Sequence, residues 1–376
     1  MLNTAVYKVE LRLNGTLIGD VRDLAQNLTW TKRRTKVGVD SISFTLNDVV
    51  FAEWCRQKNT TIDQMLKPMA LDCRIVRNGT AIIGGYLATM PAYQPNQTSA
   101  NLAMQFDGYH NLLAGVYIWP VGTQKGAMGT LVKNWITLAD NRATSAGKAF
   151  GFTQGTISTM SSVEQTFDNY ITVKDVIANR CDNTTGAGMF DVYWHADRTY
   201  DIIKDADFGE VISDYTVYYP MRLNGVSATS ISASEASGFY STVIGLGAGE
   251  VSSNADENTV ITSTSTDSDF VDEYGYREEL IQDSSVSVQG TLDRNVVTEL
   301  KKVTDVRWSP QITLIGRQVA PVPDGTGKIW VGDKITIVNE EDKTGMTSGA
   351  FRVNELSVAI SAAGNEVITP TLERVV

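Results

Sequence analysis

Two histidines, His110 and His195, are the only imidazoles in the chain. A zinc peptidase needs a pair of them four residues apart on a helix, and no HExxH run is present. Neither histidine has a Cys or His neighbour at zinc-ligand spacing. His195 lies in WHADRTY, a strand-turn context that suits a structural or exposed side chain. No GxSxG elbow offers a serine nucleophile. The cysteines, Cys55, Cys73 and Cys181, are scattered, with no CxxC pair and no disulfide framework, so buried thiols are expected. GLGAG, from Gly245 to Gly249, follows a predicted strand but leads into SSNADENTV, which is no helix. A phosphate cradle requires that helix N-terminus, so these glycines read as tight turning or close backbone approach.

Carboxylates are the remaining candidates. Glycosidases work with two of them. DADFGE, DSDFVDEYGYREE and NEED supply pairs, but a chain with 43 acidic residues contains such pairs by chance. Asp267, Asp269, Asp272 and Glu273 read as a solvated loop, and the EF-hand ligand order is missing. Trp30, Trp54, Trp119, Trp135, Trp194, Trp308 and Trp330 mostly fall within apolar periodicity, which points to core or subunit contacts rather than a sugar-binding platform. No catalytic set, cofactor or metal site is expected, and the chain reads as non-enzymatic.

The elements that would position any site are mainly strands. Tyr7, Val9, Leu11 and Leu13 alternate with Lys8, Glu10 and Arg12, and Asn14-Gly15 turns the chain back. Ile42, Phe44 and Leu46 alternate again, as do Leu71, Cys73 and Ile75, and Asn78-Gly79 makes a second turn. A short helix is predicted at VFAEWCRQK. Met128, Leu131, Val132, Trp135, Ile136 and Ala139 share one helical face. A second helix starts near Thr172, where Thr172 and Asp175 fit a capping pattern. DVYWHADRTYDII reads as a hairpin. STSTDSDFVDEYGYREELIQD reads as polar and loop-rich. Leu292, Val296, Val297, Leu300 and Val303 form another helical face. The closing strands include FRVNELSVAI, whose apolar phase slips between Val353 and Leu356; a β-bulge near Asn354-Glu355 explains it.

The fold class expected is mainly β with α/β insertions: two β-barrels, each interrupted. Residues 1–110 with 186–225 make the first barrel and 111–185 an α/β insertion. Residues 226–260 with 306–376 make the second, and 261–305 a small helix-containing insertion. The 376 residues and 42% hydrophobic content support a substantial core, and 31 glycines with 20% charged residues favour β structure. The net charge of −11 argues against a basic nucleic-acid-binding surface. The N-terminus shows no signal peptide, and no apolar run reaches the roughly 18 residues that span a bilayer.

Four segments, in order, resemble the tail-tip hub proteins of bacteriophages, which share the fold of contractile-tail baseplate hubs. The first is the opening hairpin, DSISFTLND and RIVRNGTAIIGGYLA. The second is MQFDGYHNLLAGVYI, with Gly108 and Tyr109. The third pairs YSTVIGLGAGE, with Gly245, Gly247 and Gly249, and YGYREELIQD, with Tyr274, Gly275, Arg277 and Glu278. The fourth is WVGDKITIVN, with Gly332 and Asp333, then FRVNELSVAISAAGNEVITPTL, with Arg352, Val353 and Glu366. The chain departs from the family at VYIWPVGTQKG, where an arginine is common.

The resemblance implies that both barrels are tail-tube-like and that these residues hold structural positions. It implies a homotrimeric ring at the tail tip or baseplate of a virion, made in the host cytoplasm. That ring joins the six-fold tube to the tip and passes DNA without specific binding. Its partners would be copies of itself, distal-tail or tail-tube ring proteins, the tape-measure protein, and spike or receptor-binding proteins, with no membrane insertion. The channel wall is expected to be polar and net acidic. The chain ends after its last strand, so no appended hydrolase domain is expected. The alternatives are a cell-wall hydrolase, a host-glycan-binding adhesin, or a lone tube or distal-tail ring protein of one barrel.

Overall fold

A computed structural model describes residues 5–91, 101–119, 122–167, 170–181, 190–222, 225–235, 240–249, 259–283, 286, 288–305, 308–342 and 347–375. β1 (Tyr7–Leu13) turns at Asn14 and Gly15, at φ 49° and 83°, into β2 (Thr16–Asp20). β3 (Gln26–Arg33) and β4 (Ser41–Asn47) follow. The Asn47 side chain then accepts from Val50 N and starts α1 (Asp48–Gln57). After α2 (Ile62–Met65) come β5 (Leu71–Arg77), β6 (Thr80–Leu87) and β7 (Asn101–Gly108). They pair in the order β2-β1-β5-β6-β7-β4-β3.

A 3-10 turn, Tyr109–Gly115, leads out of this sheet into the insertion. There β8 (Gly122–Ala127) precedes α3 (Met128–Ser145), which buries the apolar face read from the sequence. β9 (Thr153–Ile157), β10 (Ser162–Phe167) and α4 (Val173–Cys181) follow, then β11 (Phe190–Trp194) and β12 (Thr199–Lys204). β8 pairs with β10, while β12 pairs with β11 and, in parallel, with β9. Of the stretch 186–225 expected in the first barrel, β11 and β12 therefore lie in the insertion's sheet, where Val192, Trp194 and Ile202 join its core. β13 (Val217–Tyr219) pairs with the second half of the chain.

That half contains β14 (Val226–Ser227) and β15 (Ser230–Glu235). A small unit follows: β16 (Thr242–Leu246), β17 (Thr262–Thr266), α5 (Ser268–Tyr274), β18 (Glu278–Gln282) and α6 (Gln289–Asp305). The acidic stretch expected as a loop is α5, because Asp267 caps Phe270 N at 3.0 Å and Phe270 is buried. β19 (Trp308–Ile315), β20 (Lys334–Asn339), β21 (Gly349–Ile360) and β22 (Glu366–Arg374) complete the chain. The register shift in β21 falls between Val353 and Glu355, at the expected bulge.

The architecture is mainly β, as expected, but the ladders do not close into barrels among the described residues. β3 pairs with β21 of the other half, so both halves merge into one 14-stranded sheet. β21 is shared between the halves: residues 349–352 pair with β20 and residues 355–360 with β3, and the outer strands β2, β14 and β15 do not meet among the described residues. One core runs beneath both, from Val9 and Phe44 to Val358 and Leu372. Fully burying each such side chain stabilises the fold by about 1.5–3 kcal/mol. No helix among the described residues is long and apolar enough to cross a membrane.

Candidate functional site

The outer face of the merged sheet divides in two. Over β5 and β6 it is covered by the insertion: a Cβ on Gly84 would meet Ala196 O at 2.4 Å, and Tyr86 joins the insertion's core. Beyond Asp107 no described element covers it, across β7, β4, β3, β21, β22 and β19, and its side chains are half-buried to exposed apart from the buried Thr31. One row reads Asp107, Ser41, Thr31, Ser357, Thr369. The next reads Gln105, Ser43, Thr29, Ala359, Val367. A third reads Arg33, Glu355, Thr371, Gln311, Ser232. The opposite face, with Phe106, Ile42, Trp30, Val358 and Ile368, is buried. Alternation thus produces a broad surface of short hydroxyls. Its charges are Asp107, which accepts from Asn111 at 2.8 Å, and the Arg33–Glu355 pair at 2.6 Å. At the bulged end Lys36 pairs with Glu373 at 3.2 Å.

A buried ionic seam fixes this face to the insertion. Arg34 Nε donates to Asp191 Oδ2 at 2.7 Å and its Nη2 donates to Asp205. Arg352 Nη1 donates to Asp205 Oδ2 at 2.6 Å. Burial pushes the Asp205 carboxyl up, but Arg34 and Arg352 outweigh it and hold it below its usual value. Lys32 Nζ donates to Asp40 Oδ2 at 2.6 Å and to Trp194 O at 2.5 Å. Sequence reading singled out Arg352 but missed Arg34, Asp191 and Asp205, which lie 157 and 171 residues from Arg34 with no local pattern to link them.

The remaining positions implied by the resemblance are scattered. Gly108 abuts Asp40, whose Cβ would lie 2.6 Å from an added Cβ, and Tyr109 is buried under Arg198. Gly245 packs on α6, while Gly247 and Gly249 approach residues 259–261 and 286. Tyr274 ends α5 and Gly275 caps it at φ 89°. Arg277 O accepts from Ser241 N at 3.0 Å, and Glu278 accepts from Tyr276 OH at 2.6 Å. Gly332, at φ 96°, leaves no room for a Cβ against Phe208. Asp333 accepts from Trp330 N at 2.8 Å and Glu210 N at 3.0 Å. Burial pushes its carboxyl up to about 6. Val353 is buried and accepts from Gly332 N at 2.8 Å. Glu366 is buried against Arg77 at 2.7 Å and also accepts from Tyr7 OH. These residues form no single pocket.

Chemistry is sparse. His195 Nε2 meets Asp201 Oδ2 at 2.6 Å, but the other carboxylate oxygen accepts from Thr156 N at 2.5 Å, so the dyad staples β12 to β9. His110 is buried beside Lys174 and Lys32, and burial above all pulls it down to about 3. Among the described residues no three His, Cys, Asp or Glu side chains gather as a metal site. All three cysteines are buried. Trp30, Trp135, Trp194 and Trp330 are buried, as their periodicity suggests. Trp119 is not. It is 56% exposed, with Tyr117 at 51% and Tyr170 at 65%. Tyr117 faces Thr172 across an antiparallel bridge and Ile118 N donates to Ile171 O, so alternation sets the three rings on one side. Arg142 holds that strand, donating to the carbonyls of Tyr117 and Trp119.

No protein-family model matches the chain, and no curated protein sequence matches it. Solved structures do. The 43 kDa tail protein of prophage MuSo2 from Shewanella oneidensis is similar over 98% of this chain and 98% of its own, with TM-score 0.66 and 12% identity. The prophage tail protein gp18 from Listeria monocytogenes EGD-e is similar over 97% and 94%, with TM-score 0.57 and 12% identity. A chain of the Francisella PdpA–VgrG complex is similar over 99% of this chain and 53% of its own, with TM-score 0.54 and 10% identity. The chain has the fold of a phage tail hub.

Proposed function

We propose that the chain is a non-enzymatic structural subunit of a bacteriophage tail, placed at the tip or baseplate as a ring of three copies around a DNA channel. The observation that carries this is the uncovered sheet face, continuous across both halves and lined mainly by Ser, Thr and Gln, with Ala359, Val367, Asp107 and the Arg33–Glu355 pair among them. A wall for DNA must avoid holding phosphates, because each neutralised phosphate adds affinity and salt dependence. Short hydroxyls with paired cations meet that need, and Asp107 leaves the wall slightly acidic. Each copy brings two sheet halves, so three copies present six to a six-fold tube. Heterologous contacts that close by rotation give such rings. Tube or distal-tail ring proteins would sit above and spike or receptor-binding proteins below, with the tape-measure protein nearby. Native mass and rotational averaging of the assembled protein should give three-fold symmetry; a monomer or a two-fold dimer in the particle contradicts the reading.

A second role is favoured by Tyr117, Trp119 and Tyr170. Three exposed rings on one side form the platform that a glycan-binding adhesin needs, held by Arg142. Purified protein should bind host cell-wall polysaccharide and Trp119→Ala should lose that binding; equal binding by both excludes this role.

A further inference from the structure

Within the three rows of the uncovered face the described cation is Arg33, and its charge is covered. Its Nε donates to Glu355 Oε2 at 2.6 Å, and its Nη1 donates to Val39 O at 2.6 Å. The two side chains are 26% and 23% exposed, so both reach the surface of the face. They are also register partners where β3 meets β21. That register does not need them. Leu356, Val358 and Ile360 on β21 lie opposite Lys32, Trp30 and Leu28, and all of these are buried. Part-exposed ion pairs add little to stability.

We propose that Glu355 acts as a charge mask, holding Arg33 away from the phosphates of DNA moving along this face. The inference rests on the channel reading above. In a ring, loss of the mask would present one free guanidinium per copy at a single level of the wall. Arginine binds phosphate through a planar fork of donors, so such a belt is well shaped to retard a duplex. Glu355 competes for that fork from the same sheet, at a distance fixed by the strand pairing. The flanking hydroxyls of Ser357 and Thr371 supply no charge that could replace it.

Particles carrying Glu355→Gln, the Arg33→Gln/Glu355→Gln pair, or Ser357→Lys test this by their rate of DNA release over a salt series. Glu355→Gln should slow release at low salt, with the deficit shrinking as salt rises, and the double variant should restore the parent rate. Purified Glu355→Gln should also bind a short duplex with a steeper salt dependence than the parent, by about 0.9 in log–log slope for each phosphate engaged. Normal release by Glu355→Gln together with slow release by Ser357→Lys overturns the mask and keeps the channel. Normal release by both overturns the channel reading itself. Slow release by Glu355→Gln that the double variant does not restore shows a structural role and also overturns the mask.

Discussion

Arg34, the residue after β3, donates from Nε to Asp191 Oδ2 at 2.7 Å, across 157 residues of sequence. Its own guanidinium is pulled down by burial but held above its usual value by Asp191 and Asp205. Asp191 also accepts from Thr35 N at 2.8 Å. One side chain thus ties the junction of the two sheet halves to β11 of the insertion. The uncovered face ends where this clamp begins.

Removing one partner of that clamp should be severe. Arg34→Met leaves Asp191 and Asp205 without their shared guanidinium, and breaking a buried pair costs about 3–5 kcal/mol. Urea unfolding should show that loss, and Arg34→Met/Asp191→Asn should recover part of it. A midpoint unchanged by Arg34→Met contradicts the clamp.

Tyr7 and Glu366 join the first strand of the chain to the last. Tyr7→Phe removes a donor from a buried carboxylate that keeps Arg77 at 2.7 Å, so the cost should be modest, about 1–3 kcal/mol. Glu366→Ala strands Arg77 and should cost more than Tyr7→Phe in guanidinium titrations. The reverse order would show that Arg77 finds another partner.

Asp333 gives a pH signature. Its carboxyl is raised by burial from 3.8 to about 6. Between those values the folded chain holds the proton that the unfolded chain has released. Stability therefore falls as pH rises from about 4 to 6, by about 3 kcal/mol in all, and is flat above. His110, pulled down by burial from 6.5 to about 3, acts in the opposite sense over an overlapping window. The difference in melting temperature between the parent and Asp333→Asn isolates the carboxyl. That difference should shift against the parent between pH 4 and 6; a constant difference rules the effect out.

Local features were legible in the sequence where alternation or turn chemistry is strong. The Asn14-Gly15 turn, the face of α3 and the β21 bulge follow from residues within a few positions of one another. The closure of the halves on each other does not, because β3–β21 pairing joins residues more than 300 apart and no local pattern encodes it. The hydroxyl face was legible as the polar phase of single strands; its continuity appears only once the registers align. The exposure of Trp119 was not legible, because an isolated aromatic carries no periodicity of its own. The helix α5 was missed because four of its seven residues are acidic or Ser, and its start depends on Asp267 acting as a cap.

Gly245 is the position where a single methyl should loosen one unit and spare the rest. A Cβ there would lie 2.4 Å from Val296 Cγ2 and 3.0 Å from Leu292 Cδ1, both in α6. Those residues belong to a small core of Val243, Val286, Leu292, Val296 and Leu300, separate from the core beneath the large sheet. The helix must move outward, and overpacking of this kind costs about 1–3 kcal/mol. So small a core has little to spare, so Gly245→Ala should raise amide exchange in β16, β17 and α6. Exchange in β3, β4 and β21 should stay at the parent level. Val296→Ala removes the clashing methyls, so the double variant should lose less than the sum of the two single changes. Gly290, where an added Cβ meets nothing within 4 Å, is the control: Gly290→Ala should be neutral or stabilising, since alanine suits a helix better. Uniform exchange across both cores in Gly245→Ala would show that the small unit is not independent and that its fit to α6 is not what the glycine provides.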